Sequence, residues 1–210
     1  MLSADFLHLE KDVELVNRYA DLFHLDIMDG CFVPNLSYGF PIVEAIASKA
    51  LKPLDVHLMI VEPWKYVERF ASAGASMISF HYEAALGRSA EVIRQIRSLG
   101  VKAGIAINPD CPVSSIFPFL DEVDFVLIMS VFAGFGGQKF IPESLERIKA
   151  VKAELQRIGR SDVPIEVDGG VCPGNAAALS SAGAGILVAG SSVFKASSPS
   201  AAIELMKNPV

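Results

Sequence analysis

The chain has 210 residues, 51% hydrophobic and 20% charged, which excludes a disordered polymer and fits one globular domain over residues 1–210. Its formal net charge of −6 argues against a general nucleic-acid surface, which needs clustered Lys and Arg, and leaves open a local anion site made of backbone amides. Cys31, Cys111 and Cys172 are widely spaced and form no C-x-x-C pair, there is no basic leader, and no apolar run is long enough to span a bilayer. The expectation is a cytoplasmic protein with free thiols.

The short start "MLS" is followed by an amphipathic stretch, "HLEKDVELVNRYA", and then by a β-rich run, "LFHLDIM". A second run, "PLDVHLM", leads into the helical pattern "PWKYVERFASA". "SMISFH", the helical "SAEVIRQIRSLG", "VKAGIAIN" and "DFVLIMSV" come next. The helical "ESLERIKAVKAELQRIG" then precedes the last two runs, "PIEVDGG" and "GILVAGSS". Gly74, Gly100, Gly159 and Gly183 fall just past helical pattern, where a left-handed cap favours glycine. Alternation of this kind predicts a parallel sheet with helical crossovers. No G-x-G-x-x-G follows the first run, so a TIM (β/α)8 barrel is preferred to an open doubly wound sheet. Seven strands are clear; "MLS" would be the stub of an eighth, truncated at the N-terminus.

In a barrel, one parity of each strand faces the helices and the other faces the interior. Leu25 and Ile27, with Val56 and Leu58, then pack outward, and His24, Asp26, Asp55 and His57 point inward. Glu166 and Asp168 share a parity in "IEVDGG". Parallel strands are ordinarily apolar on both faces, so charges here need a reason. A single inward His or Asp is more often a core polar group with its own partner; several at the carboxyl ends of three strands argue for a site, because barrel enzymes build theirs there. Imidazoles and carboxylates together suit a divalent cation, Zn2+, Fe2+, Mn2+ or Co2+. His8 is expected on the exposed side of its helix, and His81 at the rim, as a hydrogen-bonding group or a substrate contact.

Glycines then cluster three times: in "FAGFGGQKF", in "DGG" and in "AGSS", each after one of the last three strands. Backbone N–H groups approach an anion closely where no side chain obstructs them, and this end of the fold is a usual phosphate region.

With "LSADF", "HLDIMDGCFVPN", "LDVHLMIVEP", "GFGGQKF" and "IEVDGG" in order, the sequence resembles the ribulose-phosphate 3-epimerase family over nearly its whole length. The resemblance implies a TIM barrel and inversion at carbon 3 of a ketopentose phosphate, interconverting D-ribulose 5-phosphate and D-xylulose 5-phosphate. It implies one divalent metal on His24, Asp26, His57 and Asp168, with Asp26 and Asp168 as the acid/base pair. Phosphate and substrate contacts would fall on His57, Gly134, Phe135, Gly136, Gly137, Asp168, Gly169, Gly170, Gly190 and Ser191. Met28, Met59 and Met129 would cover the substrate; taken alone they read as gap-filling core residues. A small sugar phosphate is the expected partner, with no nucleic acid and no membrane, and a homo-oligomer is the expected assembly.

The family carries "PSI" ahead of "LSADF", with a substrate-contacting serine that falls before Met1; Ser3 is a partial substitute. An exposed seam beside the truncated strand is expected to cost stability. Ala133 stands where the family usually has Pro, which is expected to loosen the glycine loop while adding one N–H, and Cys31 stands where it often has His. Epimerisation of D-allulose 6-phosphate is the rival within the same chemistry, and a non-catalytic sugar-phosphate-binding paralogue is the rival outside it. The related decarboxylases use a D-x-K-x-x-D array, and neither "LDIMDG" nor "LDVHLM" holds a lysine.

Overall fold

A computed structural model describes residues 1–209. Seven strands, β1 (Phe23–Met28), β2 (Leu54–Met59), β3 (Met77–His81), β4 (Lys102–Ile107), β5 (Phe125–Met129), β6 (Ile165–Asp168) and β7 (Ala184–Val188), form one sheet in sequence order. Every neighbouring pair defined from β1 to β7 is parallel. The helices are α1 (Leu9–Tyr19), α2 (Phe40–Ala47), α3 (Val67–Ser72), α4 (Ser89–Ser98), α5 (Ser144–Arg157), α6 (Pro173–Ala182), α7 (Ser191–Phe194) and α8 (Pro199–Lys207). Between β4 and β5 the crossover is a 3-10 segment, Val113–Phe119, with Pro118 inside it. Among the described residues no helix is long and apolar enough to cross a membrane.

The sheet curls into a barrel of the (β/α) class. Leu25, Val56, Leu58, Ile78, Ile105, Val126 and Val167 are fully buried against the helical layer, where they join Val92, Ile96, Ile148 and Leu179 in the main core. This is the outward parity read from the sequence. The inward parity is mixed, and its packing is tight where it is apolar. Gly104 on β4 leaves room for the Phe125 ring, which lies 2.3 Å from where a Cβ would stand. All four glycines read as helix ends have positive φ, between 75° at Gly100 and 118° at Gly183.

Among the described residues the eighth strand is not formed. Met1 to Ala4 make a turn, closed by Ala4 N–H donating to the Met1 carbonyl at 3.0 Å, and only the Met1 ammonium reaches the β1 edge, donating to the His24 carbonyl at 2.6 Å. One contact is not a ladder, so β1 and β7 remain the two edges of the curl. The two edges differ: β1 is buried along its whole length, whereas β7 is half-buried with Gly185 exposed.

Candidate active site

Parallel register places residues of one parity beside one another. His24 pairs with Asp55, Asp26 with His57 and Met28 with Met59 across β1 and β2; Leu127 pairs with Glu166 and Met129 with Asp168 across β5 and β6. Two layers of ionisable side chains therefore lie inside the curl near the carboxyl ends of the strands. Across the two layers, donor atoms of His24, Asp26, His57 and Asp168 all lie within 4.8 Å of one another. These four are the set implied for a cation by the resemblance.

Buried neighbours orient two of these side chains. His24 Nδ1 lies 2.5 Å from Asp55 Oδ2 and 3.2 Å from Glu166 Oε1, and both carboxylates are fully buried. His57 Nε2 lies 3.0 Å from His81 Nε2. The opposite ring nitrogens, His24 Nε2 and His57 Nδ1, are buried without a hydrogen-bond partner. They face Asp26 Oδ1 at 3.4 and 3.5 Å. Two buried ring nitrogens without a hydrogen-bond partner, set among carboxylates, are donors that a divalent cation can take in place of a proton, so the residues present fit a metal.

The electrostatics separate the two aspartates. Burial pushes Asp26 up, but His24 and His57 beside it outweigh this and hold its carboxyl well below the usual range. Burial, then the nearby Asp26, raises Asp168 to about 7. Burial opposes the charged form of His24, yet Asp55 and Asp26 lift it well above the ordinary histidine value. Burial lowers His57 and takes His81 down to about 4, so the latter is neutral. Glu166, buried beside Asp55, is raised to about 8.

A cavity of about 410 Å³ extends from this cluster outward between β1 and β7. Met28, Met59 and Met129 line it, as do Gly134, Phe135, Gly136, Gly137, Gly169, Gly170, Gly190 and Ser191. His57 lies behind that wall, fully buried. The glycine loops converge on Ser3, whose Oγ is 3.1 Å from a Cβ position at Gly190 and 3.4 Å from one at Gly136. Gly170, at φ +63°, lies with its Cβ position 2.4 Å from the Phe140 amide nitrogen, so only glycine fits there. Ala133 uses the N–H that a proline would lack: it donates to Asn108 Oδ1 at 3.0 Å, and Asn35 Nδ2 donates to the Gly134 carbonyl at 2.7 Å. Both bonds tether the start of the loop expected to be loose. Cys31 is exposed in the turn after β1, and His8 is exposed beside Asp5.

The ligand set implied by the resemblance leaves out Asp55, Glu166, His81, Glu83 and Asn108. Parity marked Asp55 and Glu166 as inward-facing, but their distance from the cation-capable set depends on strand register.

A parallel barrel that gathers buried His and Asp side chains at the carboxyl ends of its strands, under glycine loops, is a (β/α)-barrel enzyme with a metal-capable centre. Residues 1–194 match the model of the "Ribulose-phosphate 3 epimerase family", and the chain belongs to that family. It is 48% identical to a ribulose-phosphate 3-epimerase of Synechocystis over 99% of this chain and 91% of that protein. It is also 48% identical to that of Bacillus subtilis, over 92% and 89%, and 40% identical to the cytoplasmic isoform of Oryza sativa, over 100% and 92%. Among solved structures, a ligand complex of KGPDC from Streptococcus mutans aligns with a TM-score of 0.76 at 14% identity, over 99% of this chain and 94% of that one. A 3-hexulose-6-phosphate synthase aligns at 0.71 and 18%, over 99% and 97%. At such identities the likeness is one of fold.

Proposed function

We propose that residues 1–210 act as one domain that interconverts D-ribulose 5-phosphate and D-xylulose 5-phosphate by inversion at carbon 3. The observation that carries this reading is the convergence of Asp26 and Asp168, from β1 and β6, on one cavity beside the two partnerless imidazole nitrogens. Removal of the carbon-3 proton, next to the ketone at carbon 2, leaves an enediolate, and inversion needs a proton returned to the opposite face. One carboxylate takes and another gives.

Asp26, held ionised, is suited to break the C–H bond and keep the proton, while the electron pair moves onto the carbonyl oxygen. Asp168, raised to about 7, is suited to deliver a proton to the other face. In the reverse direction the roles exchange, and the two must re-equilibrate their proton between turnovers. His24 Nε2, Asp26, His57 Nδ1 and Asp168 would hold one divalent cation: Zn2+, Fe2+, Mn2+ or Co2+. When bound, such a cation supplies Lewis-acid stabilisation of the enediolate charge. Backbone amides of Gly134 to Gly137, Gly169, Gly170, Gly190 and Ser191 would receive the phosphate, and Met28, Met59 and Met129 would exclude water from the reacting carbons.

The test is to strip the protein of metal, restore single divalent ions and follow ribulose 5-phosphate by NMR in deuterated water. Metal-dependent deuterium incorporation at carbon 3 with formation of xylulose 5-phosphate is expected. Binding of the sugar phosphate without exchange overturns the reading.

A further inference from the structure

The reaction above does not use His81 or Glu83, yet both sit in line behind a proposed ligand. His81 is fully buried, its Nε2 is 3.0 Å from His57 Nε2, and the ring centroids are 5.0 Å apart with planes 23° from parallel. Rings disposed like this meet edge to edge, nitrogen to nitrogen. Two neutral imidazoles in such contact share one proton: one nitrogen must donate and the other accept.

The choice has a consequence for the centre. If His81 donates, the proton of His57 sits on Nδ1, which faces Asp26, and that nitrogen has no lone pair to offer. If His57 donates, its Nδ1 is bare. The deciding group lies one step further out. His81 Nδ1 is 3.4 Å from Glu83 Oε2, and an ionised carboxylate only accepts. Asn108 Nδ2 also lies 3.4 Å from His81 Nδ1 and competes for it as a donor. At equal distance, a charged acceptor outweighs a neutral amide. Glu83 is itself held, because its Oε1 accepts from the Asn108 N–H at 2.8 Å.

We propose that His81 and Glu83 are positioning residues that set the tautomer of His57: Glu83 accepts from His81 Nδ1, His81 Nε2 accepts from His57 Nε2, and His57 Nδ1 is left bare toward Asp26. The inference rests on the reading of His57 as a metal ligand. It gives the centre two anchors of different kinds, since His24 is oriented directly by Asp55 whereas His57 is oriented through a second imidazole.

Glu83→Gln is nearly isosteric: the amide oxygen can keep the Asn108 bond while its NH2 faces His81. The string then reverses and a proton arrives on His57 Nδ1. Two measurements on the full chain test this. In metal-free protein labelled with 15N-histidine, NMR is expected to show His57 protonated at Nε2 in the parent and at Nδ1 in Glu83→Gln. In chelator competition with Mn2+, the variant is expected to bind about 10- to 100-fold more weakly. An Nδ1-protonated His57 in the parent overturns the proposal even if the variant does not fold. So does a variant with unchanged tautomer and affinity. A parent that binds no Mn2+ removes the metal reading itself and this inference with it, which the NMR distinguishes from failure of the string alone.

Discussion

Asp55 Oδ2 lies 2.5 Å from His24 Nδ1, and this contact aims the other ring nitrogen, Nε2, at Asp26. The carboxylate fixes the tautomer, because an acceptor at Nδ1 requires the ring proton there. Asp55→Asn can present its NH2 instead, moving the proton to Nε2, where a cation is expected. Metal affinity should fall about 10- to 100-fold, read by chelator competition, with far-UV circular dichroism retained. Unchanged affinity would remove Asp55 from the site.

Opposite-face acid/base chemistry makes a sharper demand on Asp26 and Asp168. With Asp168→Asn, assayed at saturating metal, one carboxylate survives. It should exchange the carbon-3 proton with deuterated solvent for one epimer and leave the other untouched. Interconversion should fall about 10²- to 10⁴-fold. Asp26→Asn should show the complementary preference. Exchange of both epimers by either variant would show that one group serves both faces.

The outline of this centre was legible because side-chain parity in a strand has period two. Leu25 and Ile27 facing outward forced His24 and Asp26 inward, and the glycines after the last three strands marked the loops that meet there. What stayed hidden depends on register and curl. Parity cannot say that Asp55 lies behind His24 while His57 stands beside Asp26, because that follows from pairing β1 against β2. Nor can it say that His81 touches His57. Two of the helices not singled out have local reasons: α2 reads "FPIVEAIA" and α6 "PGNAAALSSA", so neither shows a polar face opposite an apolar one. The turn at "MLS" shows the limit of counting strands, since three residues with one edge contact do not make a ladder.

Asp29 connects the end of β1 to the segment after β2, and it should leave a signature in acid. Its carboxylate accepts from the Cys31, Phe32 and Val61 N–H groups at 2.8, 2.9 and 2.8 Å. Burial opposes ionisation, but these bonds outweigh it and depress the pKa below the usual 3.8. A depressed carboxylate contributes stability that is complete above its unfolded value and disappears as pH falls through its folded value. In urea denaturation the parent should therefore exceed Asp29→Asn at pH 6, and the gap should close below about pH 4. A gap constant from pH 6 to pH 3 would mean that the charge of Asp29 is not what holds the turn.

Gly104 tests whether the barrel interior is as tightly filled as its outer layer. The Phe125 ring occupies the space where a Cβ would stand, with three ring carbons between 2.3 and 2.7 Å of it, and Phe125 is fully buried. A flexible side chain at the surface would move aside; a ring enclosed on every side must displace its neighbours. The backbone here is ordinary strand, so Gly104→Ala carries no conformational penalty of its own and would gain slightly in strand propensity. Overpacking should dominate, and the variant should lose about 1–3 kcal/mol in chemical denaturation, with an unchanged m-value. Combining it with Phe125→Leu should recover part of that loss, because the smaller side chain vacates the same space. A neutral Gly104→Ala would show that the ring has somewhere to go and that the interior is looser than these contacts indicate.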